Sequence, residues 1–202
     1  MTARFPIYGC PRETLLAELA TENADFLRAL LRIGAQHSGV AASGFRDRWI
    51  ENTRRAAHPD DIESLVWVLL RRAVALSADC KAPRDDLLVA AFIMDGLATI
   101  QPFERGNART AMDLAVYFLM RRWGLEGPPV RFDSQAEQVL AALAPQGGLS
   151  DTGLERYFAV SETASELAGA ELDTLKQDPG YMLIVDWLEQ AMGLSKGVQA
   201  CG

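Results

Sequence analysis

Two apolar helical patterns joined by a short polar loop constrain the fold of this chain more than any other feature. Pro83–Ile100 is apolar on most sides, and Asn107–Trp123 repeats its apolar residues at helical spacing. A helix that is apolar all round is buried inside a protein. The sequence therefore predicts a central pair of buried helices, with residues 101–106 as the connection between them.

That connection ends in a Gly106-Asn107 pair directly before the second helix. Glycine lets the backbone approach a ligand closely, and the first N–H groups of a helix have no partner within it. The positive end of the helix dipole favours phosphate, and Arg105 and Arg109 flank the turn with planar guanidinium groups. The pattern predicts an anion site, and an ordinary loop with a helix cap is the alternative.

Residues 101–109 read Gln-Pro-Phe-Glu-Arg-Gly-Asn-Ala-Arg and resemble the Fic/Doc family signature, His-x-Phe-x-Asp/Glu-Gly-Asn-Gly/Lys-Arg. The resemblance extends in order over residues 40–160. It implies an all-α fold, a Fic-like helical bundle with a short β-hairpin flap. The implied parts are an N-terminal helical segment at 1–40, a Fic/Doc-like core at 41–160 and a C-terminal helical extension at 161–202. The signature residues that match are Phe103, Gly106, Asn107 and Arg109.

The implied flap lies at residues 45–59, a polar stretch with isolated aromatic residues and several arginines. It begins at Gly44-Phe45-Arg46, which is similar to the family's Gly-Tyr-Arg. In the family the flap pairs with the backbone of a target protein, which is a form of strand addition. The resemblance therefore implies that a target protein would dock on Phe45, Arg46 and Trp49, and a solvated charged loop is the alternative.

In the family, the motif histidine is the general base for a target hydroxyl that attacks a nucleotide phosphorus. Gln101 stands at that position, and an amide takes up no proton near neutral pH. The only histidines are His37 and His58, and each is a surface histidine or a displaced functional group. The resemblance implies an ATP-like nucleotide or phosphate ligand held by Phe103, Arg105, Gly106, Asn107, Ala108 and Arg109.

Arg105 also stands where the family has the carboxylate that holds magnesium. A hard divalent cation needs oxygen ligands, so we predict no metal ligand here and no magnesium bound in the family manner. Arg105 is expected to contact phosphate directly, and Glu104 holding the metal after a register shift is the alternative. Ala108 replaces the family's Gly or Lys and restricts the backbone only mildly.

Two functions follow from these departures. The first is a binding or regulatory protein that keeps a nucleotide or phosphate pocket but has impaired His-dependent transfer. The alternative is a divergent enzyme that transfers an AMP-like or phosphoryl-like group to a protein hydroxyl. It stays open because positioning and electrostatic stabilisation can catalyse phosphoryl-type chemistry with little help from a base.

Composition narrows the class of partner. The formal charge of −7 over 202 residues argues against nucleic acid, whose binding depends on a basic surface. Three widely separated cysteines form neither a metal pattern nor a disulfide framework, which favours the cytoplasm, with delivery into another cell left open. No stretch approaches 18 apolar residues free of charge, so no membrane partner is expected.

Further helices are predicted on both sides of the central pair. Apolar spacing predicts an opening helix at residues 11–37. Asp60 as the N-cap, with Glu63 three residues on, predicts a capped helix over residues 60–76. Cap and turn signals place the remaining helices at 135–143, at 151–157, from 161 to a break at Asp178-Pro179-Gly180, and at Tyr181–Met192.

Overall fold

The computed structural model describes residues 22–38, 44–48, 50, 56–124 and 160–192. Every regular element in these residues is helical, which confirms the all-α prediction. The described positions of the predicted flap contain no strand, and the rest of it lies outside the described residues. The elements are α1 (Glu22–Ser38), a 3₁₀ turn (Pro59–Asp61), α2 (Ile62–Asp79), α3 (Pro83–Ile100), α4 (Asn107–Arg122), α5 (Val160–Gly169), α6 (Leu172–Gln177) and α7 (Pro179–Ala191).

Helix α3 lies at the centre of the fold. It packs against α2, α4, α6 and α7, and its most extensive contacts are with α4. Its apolar side chains are almost all buried, and several of them, such as Phe92, are among the largest fully buried residues. Each fully buried large apolar side chain contributes about 1.5–3 kcal/mol of transfer free energy. The predicted central pair of buried helices is therefore present.

The two central helices run antiparallel and are joined at both ends. At one end the motif loop connects Ile100 to Asn107. At the other end the buried carboxylate of Asp86 on α3 accepts hydrogen bonds from Arg122 Nε and Trp123 Nε1, both at 2.9 Å. Hydrogen bonds to a buried charge are stronger than neutral ones. The helix pair therefore presents the motif loop from a rigid base.

The start of α3 follows the sequence signals. Pro83 occupies the first helical position, where a missing N–H has no consequence. Asp85 Oδ2 accepts from the backbone N–H of Lys81 at 2.9 Å and of Ala82 at 3.2 Å, and Lys176 Nζ lies 3.1 Å from its other oxygen. The N–H of Lys81 is the largest cause of the lowered pKa of Asp85. These contacts bind α6 to the start of the central helix.

The predicted capping box at Asp60 is wrong. A 3₁₀ turn at Pro59–Asp61 comes first, and His58 Nδ1 accepts from the N–H of Asp60 at 3.3 Å. Helix α2 begins only at Ile62, and the side chain of Asp61 makes no capping hydrogen bond. The proline at the first position of the turn fixes its φ and favours this tight start.

The C-terminal helices cover two faces of the central group. Asp178 Oδ1 accepts from the N–H of Gly180 at 2.7 Å and caps α7. Tyr181 on α7 donates to Asp95 on α3 at 3.0 Å, and Arg72 Nε on α2 donates to the Ala170 carbonyl after α5 at 2.6 Å. Helix α7 thus begins at Pro179, two residues before the predicted Tyr181.

The predicted division into segments 1–40, 41–160 and 161–202 stays a prediction. Helices from all three segments contribute side chains to one hydrophobic core. The opening helix ends at Ser38, one residue beyond its predicted end, and its described part begins at Glu22. The helices predicted at 135–143 and 151–157 lie outside the described residues.

Candidate functional site

The motif loop begins where α3 ends, at Gln101. This residue is the C-cap of α3 in the left-handed conformation, with φ 51° and ψ 65°, and its N–H donates to the Leu97 carbonyl at 2.9 Å. Left-handed caps usually carry glycine, and Gln101 is the one non-glycine residue with positive φ in the described part of the chain. The residue is buried. The position of the family base therefore holds a buried amide on a strained backbone.

Asn107 closes the loop through its side chain. Its Oδ1 accepts from the N–H of Phe103, and its Nδ2 donates to the carbonyl of the same residue, both at 2.8 Å. The Phe103 ring is buried and fills the space left by Gly34, where an added Cβ would lie 2.1 Å from the ring. Asn107 thus shapes the loop, and the structure leaves its predicted contact with phosphate as a prediction.

Gly106 lies at the junction of the loop and α4. It is the N-cap of the helix, in the left-handed conformation with φ 75°, and no side chain caps the helix there. Its carbonyl accepts from the N–H and from Oγ1 of Thr110, both at 2.9 Å. An added Cβ would lie 2.8 Å from the Cβ of His37 and 3.0 Å from its carbonyl carbon. Glycine is needed for its backbone conformation and for this close approach of α1.

The end of α1 lies against the motif loop. Arg105 Nε donates to the carbonyl of Ser38, the last residue of α1, at 2.6 Å. His37 Nε2 lies 2.7 Å from Asp113 Oδ2 on α4, and both side chains are about three-quarters buried, at 24% and 28% exposure. A cation near a helix C-terminus is favoured by the helix dipole. Arg105, which stands at the family's metal position, thus caps the C-terminus of α1.

The remaining predicted ligand residues lie on the first turn of α4 and beside it. Arg109 is exposed, and Ala108 packs partly against the core. Glu104 is exposed and accepts from Arg48 Nε at 2.6 Å. The structure therefore brings Gly106, the N–H groups of the first turn and Arg109 together at one end of α4.

Arg46 is buried, and its guanidinium bonds to three main-chain carbonyls. Nε donates to Gln101 at 2.8 Å, Nη1 to Arg48 at 3.0 Å and Nη2 to Ala57 at 2.5 Å. Burial lowers the pKa of this guanidinium. The neighbouring Phe45 ring lies 5.8 Å from the Phe103 ring, centroid to centroid. Target docking on these residues stays a prediction.

Trp49, the third predicted docking residue, lies outside the described residues. Within the described ranges, no three His, Cys, Asp or Glu side chains are grouped closely enough to hold a metal ion. The residues that are present do not fit magnesium, because Arg105 occupies the expected ligand position and Glu104 is paired with Arg48. The predicted loss of magnesium binding remains a prediction.

A family model described as Fic/DOC family matches residues 22–119. Residues 22–119 form a Fic/DOC family domain. The Fic/DOC domain covers α1 to α3 and most of α4, and it includes the whole motif loop and the Arg46 contacts. Searches of curated proteins and of solved structures return no match to the chain. Among the described helices of this Fic/DOC protein, none combines the length and the apolar character needed to cross a membrane.

Proposed function

We propose that this Fic/DOC protein binds a nucleotide or another phosphate-bearing ligand at the N-terminus of α4 and acts by binding, with impaired His-dependent transfer. The observation that carries the proposal is the start of α4 at Gly106 without a side-chain cap. The first N–H groups of such a helix, together with its dipole, attract an anion. The exposed Arg109 in the first turn adds a charged donor with a planar fork.

The loop around this helix start supports the proposal because it is held by its own residues. The amide of Asn107 is bonded to both polar main-chain atoms of Phe103. The phosphate oxygens would therefore be met by main-chain N–H groups and by Arg109, while Asn107 keeps the loop in shape. Preorganised donors of this kind need no rearrangement when the ligand arrives.

The impaired transfer follows from two positions. Gln101 supplies a neutral amide where the family has its base, and general-base catalysis contributes about 10² to 10⁴ in rate. Arg105 supplies a guanidinium where the family has a magnesium ligand, and its Nε is bonded to Ser38. The exposed guanidinium would take over part of the charge neutralisation that the metal provides elsewhere in the family.

Calorimetry of ATP and GTP binding, with and without magnesium, tests the proposal. Arg109→Ala should weaken binding by about 1.5–3 kcal/mol, the value of a hydrogen bond to a charged group. Arg84→Ala is the matched control, because Arg84 is an exposed arginine that pairs with Asp186 on α7 and lies at the opposite end of α3 from the motif loop. Equal affinity of the wild type and Arg109→Ala would remove this helix terminus as the site.

The second candidate function is a divergent transferase, and the observation that favours it is the His37–Asp113 pair. The Cβ of His37 lies against the motif glycine, and Asp113 orients the ring through Nε2. In this alternative a target hydroxyl attacks the α-phosphorus of ATP, pyrophosphate leaves with the electron pair of the broken P–O bond, and His37 Nδ1 takes the hydroxyl proton. A base oriented by a carboxylate is a recurring arrangement in such catalysis.

Transfer of AMP from α-labelled ATP to protein substrates separates the two functions. His37→Gln should abolish labelling by the enzyme and leave ATP affinity within about twofold, since the imidazole would act on the hydroxyl. The absence of labelling by the wild type, with ATP bound, would favour the binding function. Labelling that persists in His37→Gln would exclude this histidine as the base.

A target protein segment docked on Phe45, Arg46 and Trp49 is the partner we propose beside the nucleotide. The described part of that segment lies directly on the motif loop, since the N–H of Arg46 donates to the Pro102 carbonyl at 2.9 Å. The net charge of −7 makes nucleic acid a poor partner. The scattered cysteines favour the cytoplasm as the compartment.

A further inference from the structure

Arg46 connects three segments of the chain through one side chain. Its carbonyl partners are Gln101 in the motif loop, Arg48 two residues after Arg46 itself, and Ala57 at the other end of the predicted flap. Its own N–H donates to Pro102 in the loop at 2.9 Å. The chain that leaves at Arg48 and returns at Ala57 therefore begins and ends at the same guanidinium.

A guanidinium is the side chain suited to this contact. Its N–H donors point outwards in one fixed plane, so Nε, Nη1 and Nη2 reach three different acceptors at once. Lysine offers a single nitrogen and could not hold the same set. Arg46 is 5% exposed, and its partners among the described residues are main-chain carbonyls. A buried charge tolerates little displacement, because each donor that loses its acceptor stays desolvated.

The contact also sets the conformation of the motif loop. Gln101 adopts the left-handed conformation that glycine usually takes at a helix end, and its carbonyl is the acceptor for Arg46 Nε. The preceding carbonyl, that of Ile100, accepts from the N–H of Ala57 at 3.2 Å. These two hydrogen bonds hold the start of the loop against Arg46 and Ala57 at the base of the flap. The strained cap is therefore held from outside the helix.

We propose that Arg46 is a positioning residue that joins the target-docking segment to the anion loop. An anion bound at the N-terminus of α4 then also orders the chain around Arg46 and Ala57. By reciprocity, a segment docked on the flap raises the affinity of the loop for the anion. The predicted effect of an anion rests on the anion site proposed above. The hydrogen bonds of Arg46 and Ala57 to the motif loop exist without a ligand.

The first experiment uses the wild type, labelled with ¹⁵N, and titrates it with ATP in the absence of magnesium. The Nε–H signal of Arg46 and the amide of Ala57 should shift with the same dissociation constant as the amide of Phe103 in the loop. The Nε–H of Arg72 is the internal control, because it also donates to a carbonyl, that of Ala170 after α5, and makes no contact with the motif loop among the contacts of the described residues. A response of Phe103 alone, with Arg46 and Ala57 unmoved, would overturn the proposal.

The second experiment compares Arg46→Lys with Arg72→Lys. Arg46→Lys should increase hydrogen exchange at the amides of Gln101 and Ala57 by about tenfold and weaken ATP binding by about tenfold, because small displacements of a binding loop have large effects. Arg72→Lys should change neither. Unchanged exchange at Gln101 in a folded Arg46→Lys protein would contradict the proposal.

A third measurement needs neither a variant nor a ligand. In urea-dependent hydrogen exchange of the wild type, the amides of Arg46, Ala57 and Gln101 should open together, with one common free energy. Opening of these amides with different free energies would show that Arg46 does not join the flap to the motif loop. If the wild type does not bind ATP, the proposed function fails, whereas the exchange measurements still decide the role of Arg46.

Discussion

Replacing Gly106 with alanine adds one methyl group where α1 meets the motif loop. The residue has φ 75°, and the added Cβ would lie 2.8 Å from the Cβ of His37 and 3.0 Å from its carbonyl carbon and oxygen. Two of these three atoms belong to the main chain of α1, so no change of side-chain rotamer can relieve the contact. Relief would require α1 to move away from α4.

The expected loss in the free energy of unfolding has two parts. A non-glycine residue in the left-handed conformation costs about 1–2 kcal/mol. Forcing an extra methyl group into a packed contact costs a further 1–3 kcal/mol or so. Gly106→Ala should therefore lower the free energy of unfolding by about 2–5 kcal/mol. Gly124→Ala is the matched control, because Gly124 has φ 62° and no atom within 4 Å of its added Cβ, so only the backbone part, about 1–2 kcal/mol, applies.

Urea unfolding followed by circular dichroism measures both variants against the wild type. The difference between the two losses, about 1–3 kcal/mol, reports the contact between α1 and the loop. Equal losses in Gly106→Ala and Gly124→Ala would refute the reasoning, since they would mean that α1 exerts no steric limit on the loop. In a His37→Gly background, Gly106→Ala should cost less than in the wild type but should still be destabilising, because the main-chain contacts remain.

Two further predictions use other parts of the structure. Gln101→His alone should not restore magnesium-dependent transfer, because Arg105 still occupies the metal position, and strong magnesium-dependent labelling by this variant would show the role given to Arg105 to be wrong. Burial raises the pKa of Asp95 above its ordinary 3.8, so the stability that its protonated form contributes is present below that pH and is lost as pH rises through the folded pKa. In Asp95→Asn the amide oxygen still accepts from Tyr181, so the free energy of unfolding should vary less with pH in this range. Urea unfolding at several pH values measures this, and the same pH dependence in Asp95→Asn and the wild type would contradict the prediction.

The sequence predicts the central helices well because their signals are local. Pro83 and the polar loop after Ile100 fix both ends of α3, and the structure has the same bounds. The prediction of a capping box at Asp60 is wrong because two local signals compete there. Proline at position 59 favours a tight turn, and this turn uses residues 59–61 before α2 can begin at Ile62.

The site is only partly readable from the sequence. Gly106 and Arg109 stand beside the start of a helix, so their placement follows from neighbouring residues. The contacts of Arg46, Arg105 and His37 join residues 55, 67 and 76 positions apart, and no local pattern reports them. Charge alone would place Arg46 on the surface, whereas its three carbonyl partners allow it to be buried.

The double attachment at Arg46 has a consequence for how this protein can vary. Since the carbonyls of Arg48 and Ala57 are both held by one guanidinium, the ends of the intervening segment are defined without reference to its own sequence. Substitutions between Arg48 and Ala57 are therefore expected to leave these two ends in place as long as Arg46 is kept. The anchoring of both ends is thereby encoded in a single residue, Arg46.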